Sequence, residues 1–147
     1  MKTAPGKTIL LVVGIIYLVF GGFGILGAAG GLATAGYWDE VLPFASGLSW
    51  SVYYGIAFVG ALLFILFGLM GILNRAKLEK AGLLRVFAII GILYAVVDSV
   101  LSFSLFTGVL GGAMAVISLI FGLVLPVLYL VGAQKNLAAY KESEPTL

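Results

Sequence analysis

The stretch VFAIIGILYAVVDSVLSFSLFTGVLGGAMAVISLIFGLVLPVLYLVGAQ, residues 86–134, carries a single charged side chain, Asp98. A helix rises about 1.5 Å per residue, so about 20 apolar residues cross a bilayer core of about 30 Å. The stretch is too long for one crossing and must fold back on itself. The turn-prone TGVLGG, residues 107–112, supplies the break, which predicts spans at residues 83–105 and 113–133.

Two further apolar runs, residues 8–31 and 51–73, predict two more spans. With 63% hydrophobic and 10% charged residues, the chain is far more apolar than a soluble domain. The sequence therefore predicts an all-α, polytopic four-transmembrane-helix bundle that forms a single integral membrane domain over residues 1–147. A cleaved signal peptide is the alternative for the first run. That run is longer than a signal peptide's apolar region and leads into more membrane protein.

The basic residues occupy three segments that share one side of such a bundle. The eight are Lys2, Lys7, Arg75, Lys77, Lys80, Arg85, Lys135 and Lys141. Cytoplasmic loops carry the excess of Lys and Arg. The sequence therefore predicts a multi-pass protein of the cell membrane with both termini in the cytoplasm.

The first loop is predicted to lie on the opposite, outer side. Trp38, Trp50, Tyr53 and Tyr54 cluster near this boundary, as interfacial aromatic residues do. We interpret Asp39 and Glu40 as solvated loop charges. The segment YWDEVLPF, residues 37–44, is interpreted as a short amphipathic stretch along the outer surface.

An internal repeat relates the two halves of the chain. VVGIIYLVFGG, residues 12–22, aligns with IIGILYAVVDS, residues 89–99, so that Asp98 takes the place of Gly21. More faintly, LMGILNRAKLEK, residues 69–80, aligns with LVGAQKNLAAYK, residues 130–141. The pattern predicts a duplicated helical hairpin, and chance similarity between apolar helices is the alternative.

Small residues recur at helical spacing and predict where helices meet, because close backbone approach drives helix association in lipid. The first span places Gly14, Gly21, Gly24, Ala28 and Gly31 on one face. The third span places Ala88, Gly91, Ala95, Asp98 and Ser102 on one face, and the fourth offers Gly111, Ala115, Ser118 and Gly122. These faces could close within one chain or between chains, so a homo-oligomer or a membrane-protein partner is equally consistent with the pattern.

Most catalytic chemistry is excluded by the composition. The chain contains no Cys and no His, which removes thiol nucleophiles, imidazole acid/base groups and the usual soft metal ligands. The sequence shows no basic cluster for nucleic acid and no paired carboxylates that converge. We therefore expect no catalytic residues, no metal and no cofactor, and partners limited to the lipid bilayer and other membrane proteins.

Asp98 is the candidate functional residue, because ionisable side chains inside a membrane are rare and usually functional. It lies 13 residues beyond Arg85, which places it about 20 Å into the bilayer, in the outer half of the core. The carboxyl group is either ionised and reached by water or a cation, or neutral and hydrogen-bonded to a hydroxyl. Tyr94 and Ser102, one turn away on either side, are the local candidate partners, and residues on the other spans remain open. A carboxyl group that only bridges two helices is the structural alternative.

The opening GKTILLVVGIIYLVFGG, the basic connector NRAKLEKAG and the ending YLVGAQKN resemble the small four-span bacterial membrane proteins grouped as domains of unknown function. The resemblance covers most of the chain and implies a four-helix membrane fold. It brings no known active residues across. The first outer loop lacks the cysteine pair of tetraspanins and claudins.

Two classes of function remain, and the sequence favours the first because a single carboxylate makes a poor pathway for an ion. In the first, the chain is a non-enzymatic membrane protein that packs with itself or with a membrane partner. In the second, it is a small proton- or cation-coupled transporter or channel component that uses Asp98. An intramembrane enzyme is disfavoured because no second catalytic group accompanies Asp98. A water-filled cavity that reaches Asp98 would favour the second class.

Overall fold

Four long helices make up the computed structural model, which describes residues 4–42, 48–105 and 108–143. They are α1 (Lys7–Val41), α2 (Trp50–Asn74), α3 (Ala81–Leu105) and α4 (Gly108–Lys141), and a short 3-10 helix, Leu78–Lys80, joins α2 to α3. Each of the four contains a segment long and apolar enough to cross a membrane. The predicted four-transmembrane-helix bundle is confirmed, and the chain is a multi-pass membrane protein.

Two predicted loop segments are helical instead. α1 continues through Asp39 and Glu40 to Val41, so the start of the YWDEVLPF segment is the end of α1, while Phe44 lies outside the described residues. α4 begins at Gly108, so the prediction that all of TGVLGG forms a turn is wrong. The polar residues of the first segment and the glycines of the second predict the end of a helix. Neither feature interrupts backbone hydrogen bonding.

The antiparallel pair formed by α1 and α2 rests on backbone contact between two glycines. A Cβ atom added at Gly14 would lie 3.0 Å from the carbonyl oxygen of Gly68, and one added at Gly68 would lie 2.7 Å from that of Gly14. These distances leave no room for a methyl group. The two helices therefore approach as closely as backbones can, which maximises dispersion contact where no hydrophobic effect acts.

The small-residue face of α1 continues along α2. Gly21 and Gly24 both lie against Ala61, and Gly31 lies against the ring of Tyr54. Gly27, by contrast, has open space where a side chain would be. The sequence leaves open whether the small-residue face of α1 packs within one chain or between chains. In the structure this face lies against α2 of the same chain.

α3 and α4 form the second antiparallel pair. A Cβ atom at Gly91 would lie 3.2 Å from the Cβ of Pro126, and one at Gly122 would lie 3.2 Å from the Cβ of Ala95. These contacts are looser than the Gly14–Gly68 contact, because side-chain carbons separate the two backbones. α4 runs through Pro126 as one helix.

The two hairpins differ in register. Gly14 pairs with Gly68 in the first hairpin, and the sequence alignment matches Gly68 with Tyr129. Gly91, the counterpart of Gly14, lies instead against Pro126, about one helical turn from Tyr129. The duplicated hairpin stays a prediction. If the two hairpins are equivalent, the position of α4 along α3 differs by about one helical turn from that of α2 along α1.

The hydrophobic core occupies the half of the bundle in which α1 begins and α4 ends. Tyr17 lies at its centre, with its ring centroid 5.0 Å from Phe64, 5.9 Å from Phe67 and 5.9 Å from Tyr129. The Tyr129 hydroxyl donates a 3.0 Å hydrogen bond to the carbonyl of Phe67. These contacts join the α1–α2 pair to the α3–α4 pair. The buried residues of the cluster are Leu10, Val13, Tyr17, Phe67, Leu84, Ala88, Tyr129 and Ala133.

A buried amide joins three segments at the end of the bundle where α1 begins and α2 and α4 end, here called the basic end. The Oδ1 atom of Asn136 accepts a 2.7 Å hydrogen bond from the backbone nitrogen of Gly6, and its Nδ2 atom donates to the carbonyl of Arg75 at 2.9 Å. Asn136 is fully buried. Its side chain pairs with one backbone group that the helix leaves unpaired at each of two helix ends. Asn136 therefore holds the three basic segments together.

The opposite end, here called the aromatic end, is joined by Asp39. Its Oδ1 atom accepts a 2.7 Å hydrogen bond from the backbone nitrogen of Trp50, the first residue of α2. The indole nitrogen of Trp50 donates to the carbonyl of Leu42 at 2.7 Å, and its ring stacks on Tyr54. The interpretation of Asp39 as a solvated charge is therefore wrong, because its carboxylate caps the positive end of α2.

Replacing Gly68 with Ala is expected to lower the melting temperature in detergent. The new Cβ atom would lie 2.7 Å from the Gly14 carbonyl oxygen, so the two backbones must separate, at a cost of about 1 to 3 kcal/mol. Gly55→Ala, on the same helix with open space around it, is the matched control and should be neutral or slightly stabilising. Equal losses for both variants would show that the glycine contact does not determine stability.

Asn136→Leu is expected to destabilise the protein more than Gln134→Leu. The first change leaves the Gly6 N–H and the Arg75 carbonyl without their partner, and an unsatisfied buried group costs about 1 to 3 kcal/mol. Gln134 is exposed two residues earlier on the same helix. Thermal unfolding of the two variants in one detergent measures the difference, and a melting temperature of Asn136→Leu equal to that of Gln134→Leu would contradict the assigned role.

Candidate functional site

Asp98 lies between α3 and α4, where it is hydrogen-bonded to a hydroxyl group. The Oγ atom of Ser118 donates to its Oδ2 atom at 2.7 Å. Asp98 stands on the face of α3 that also carries Gly91 and Ala95, and Ser118 stands on the α4 face that carries Gly122. The helix pairing that brings Ala95 against Gly122 therefore also brings the carboxylate to the hydroxyl one turn further on.

A cavity of about 310 Å³ opens beside this pair. Its walls come from α2, α3 and α4, and include Phe64, Tyr94, Asp98, Ser118, Phe121 and Gly122. The carboxylate and the serine hydroxyl are grouped on one side, and most of the remaining wall is carbon. A cavity with convergent polar groups and apolar walls is the usual form of a binding site for a small molecule.

Tyr94 lines the same cavity and reaches across to α2. Its ring is 5.8 Å from that of Phe64 in an edge-on arrangement, and its hydroxyl occupies the space where a side chain at Gly60 would be. Tyr94 therefore links the wall of the Asp98 cavity to α2.

The predicted local partners of Asp98 are placed differently from one another. Tyr94 lies beside the carboxylate on the cavity wall, but the hydrogen bond described for Asp98 is to Ser118 on α4. The side chain of Ser102 lies outside the described residues. Ser118 belongs to the small-residue face of the fourth span, so the sequence carried a signal for it. The register of α3 against α4, which selects it, could not be predicted.

A second unusual polar group lies beside Gly91, at the edge of the cavity. The hydroxyl of Tyr17 is buried and, within the described residues, has no hydrogen-bond partner. It lies 3.4 Å from the position that a Cβ atom at Gly91 would occupy, and Gly91 lines the cavity. Pro126 packs against the same glycine and has no N–H to donate to the carbonyl of Gly122. An unpartnered phenol hydroxyl and a proline ring therefore border the cavity at Gly91.

The six glycines predicted to pack helices have two kinds of neighbour. Gly14, Gly21, Gly24 and Gly31 lie against α2, whereas Gly91 and Gly122 lie between α3 and α4 and also line the Asp98 cavity. Sequence reasoning missed Gly68 and Asn136. Gly68 is one of 21 glycines, and nothing in the sequence distinguishes it from the others. Asn136 stands among polar residues beyond the last apolar run.

Comparison with protein-family models, with curated protein sequences and with solved structures found no match for this chain. The resemblance to small four-span bacterial membrane proteins therefore stays a prediction.

Proposed function

We propose that this integral membrane protein is non-enzymatic and binds a cation or proton at Asp98, as a small transporter or channel component. The observation that supports the proposal is the cavity beside Asp98 and Ser118, between α2, α3 and α4. A carboxylate used only to bridge two helices needs no such space. The cavity is the feature that separates a binding site from a structural hydrogen bond.

The charge distribution supports a positively charged ligand. In the described part of the chain, the basic residues stand on the segments around the basic end, and Arg85 precedes Asp98 on α3 by about 20 Å of helix. An ionised carboxylate at membrane depth is costly unless a cation, a proton or water compensates it. A cationic ligand supplies that compensation and would bind through it.

The proposed location is the cell membrane, with both termini in the cytoplasm. The structure brings Gly6, Arg75 and Asn136 together at one end, so the flanking basic residues of α1, α2 and α4 lie on one side. By the excess of Lys and Arg this side is cytoplasmic. The Asp98 cavity would then lie in the outer half of the bilayer.

Single-cysteine labelling tests the cavity directly, because the chain has no cysteine of its own. Ser118→Cys is expected to react with a water-borne, membrane-impermeant methanethiosulfonate that carries a quaternary ammonium group. The reaction requires a thiolate and therefore water. Ile120→Cys, on the exposed apolar face of the same helix, should stay unmodified in lipid.

The same reagent tests the orientation. Applied to intact cells, it should modify Ser118→Cys from outside and should modify Ser143→Cys, beyond the end of α4, only after the membrane is made permeable. A Ser118→Cys protein as inert as Ile120→Cys would refute a water-reached cavity. Modification of Ser143→Cys in intact cells would refute the orientation.

A second candidate function is packing with another copy or with a membrane partner. Within the described residues, none of the side chains between positions 112 and 125 of α4 is buried, whereas Pro126, Tyr129, Ala133 and Asn136 are. The outer half of α4 therefore contacts little of its own chain except α3.

Oxidative cross-linking of Val116→Cys in membranes should give a dimer if copies meet here, with Phe23→Cys on α1 as the control. Monomer alone from both variants would leave self-association unsupported.

A further inference from the structure

Three aromatic side chains line the Asp98 cavity, those of Phe64, Tyr94 and Phe121. Phe64 and Tyr94 meet edge-on with ring centroids 5.8 Å apart, and Phe121 lies at the mouth with 74% of its side chain exposed. Aromatic faces attract cations through their quadrupole. The cavity thus combines a carboxylate with several aromatic rings.

This lining suits an organic cation better than a bare metal ion. Hard metal ions take about six or more oxygen ligands at about 2.0 to 2.6 Å. The side chains that line the cavity supply mainly the oxygens of Asp98 and Ser118. The volume of about 310 Å³ is also far larger than a dehydrated metal ion requires, and lies at the lower end of the range for small-molecule sites. An ammonium ion with apolar substituents matches both the charge and the carbon surface.

We infer that the cavity binds an organic ammonium ion, with its nitrogen near Asp98 and its apolar body against Phe64, Tyr94 and Phe121. The inference rests on the proposed function, for which it names the class of ligand. Phe121 is exposed on α4, within a segment that is long and apolar enough to cross a membrane. An amphiphilic amine dissolved in the outer leaflet therefore reaches the cavity from the bilayer, past the Phe121 ring.

Equilibrium dialysis of trimethylphenylammonium tests this inference, with the full chain in phosphatidylcholine nanodiscs and empty nanodiscs subtracted. The quaternary ion cannot lose a proton, so its charge is fixed. Saturable binding is expected, and Asp98→Asn should weaken it at least tenfold, because the partner charge is lost. The neutral analogue tert-butylbenzene should bind with no dependence on Asp98.

A matched pair of variants tests the aromatic wall. Phe121→Leu should weaken trimethylphenylammonium binding about three- to tenfold, since it removes a ring at the mouth while keeping an apolar side chain. Phe23→Leu on α1 is the control, because Phe23 is exposed to a similar extent, 71%, and lies outside the cavity. If the melting temperature shows that Asp98→Asn does not fold, this pair and Ser118→Ala carry the test. Equal binding by both Leu variants would overturn the assignment of the aromatic wall.

Radioactive sodium separates a failure of the inference from a failure of the proposed function. Sodium binding that depends on Asp98, without binding of trimethylphenylammonium, would overturn the organic ligand and leave a cation site. No binding of either ion, together with an unreactive Ser118→Cys, would overturn both. Saturable trimethylphenylammonium binding that is lost with Asp98 would support both.

Discussion

Direct backbone contact between Gly14 and Gly68 is the constraint on which the rest of the bundle depends. A chain this apolar gains no hydrophobic energy from bringing its helices together within lipid, so contact area must come from close approach. Once α1 and α2 meet at this point, Tyr17 projects from α1 towards Phe67 and Tyr129. The position of the core, and the attachment of the second hairpin to the first, follow from that geometry.

Asn136 on α4 and Asp98 on α3 differ in how completely the hydrogen-bonding groups of their side chains are satisfied. Asn136 is enclosed and uses both its acceptor and its donor, on Gly6 and Arg75. Asp98 is half-buried, has one described hydrogen bond, and stands beside empty space. A polar group that serves only the fold tends towards the first arrangement. The contrast within one chain is the physical reason for assigning structure to Asn136 and binding to Asp98.

The fold could be predicted from the sequence because it depends on quantities that apolar runs report directly, namely length and hydropathy. The small-residue face of α1 was also visible, since helical spacing determines which residues share a face. The Ser118 partner of Asp98, the contact at Gly68 and the hydrogen bonds of Asn136 were not predictable. Each depends on how far one helix is displaced along another, and no local pattern encodes that displacement. Asp39 was misinterpreted for a related reason, because its role as a cap exists only when α2 begins beside it.

The hydrogen bonds of Asn136 also impose an order on assembly. Gly6 is synthesised 130 residues before Asn136, yet the backbone nitrogen of Gly6 and the Oδ1 atom of Asn136 are 2.7 Å apart in the folded protein. While the ribosome still holds the end of α4, the backbone groups at Gly6 and Arg75 have no amide to bind and must be satisfied by water at the membrane surface. The first hairpin can already be complete by then, because the Gly14–Gly68 contact lies entirely within it. Closure of the bundle around its buried tyrosines therefore waits for the synthesis of α4, and nascent chains that stop before residue 136 lack the group that completes it.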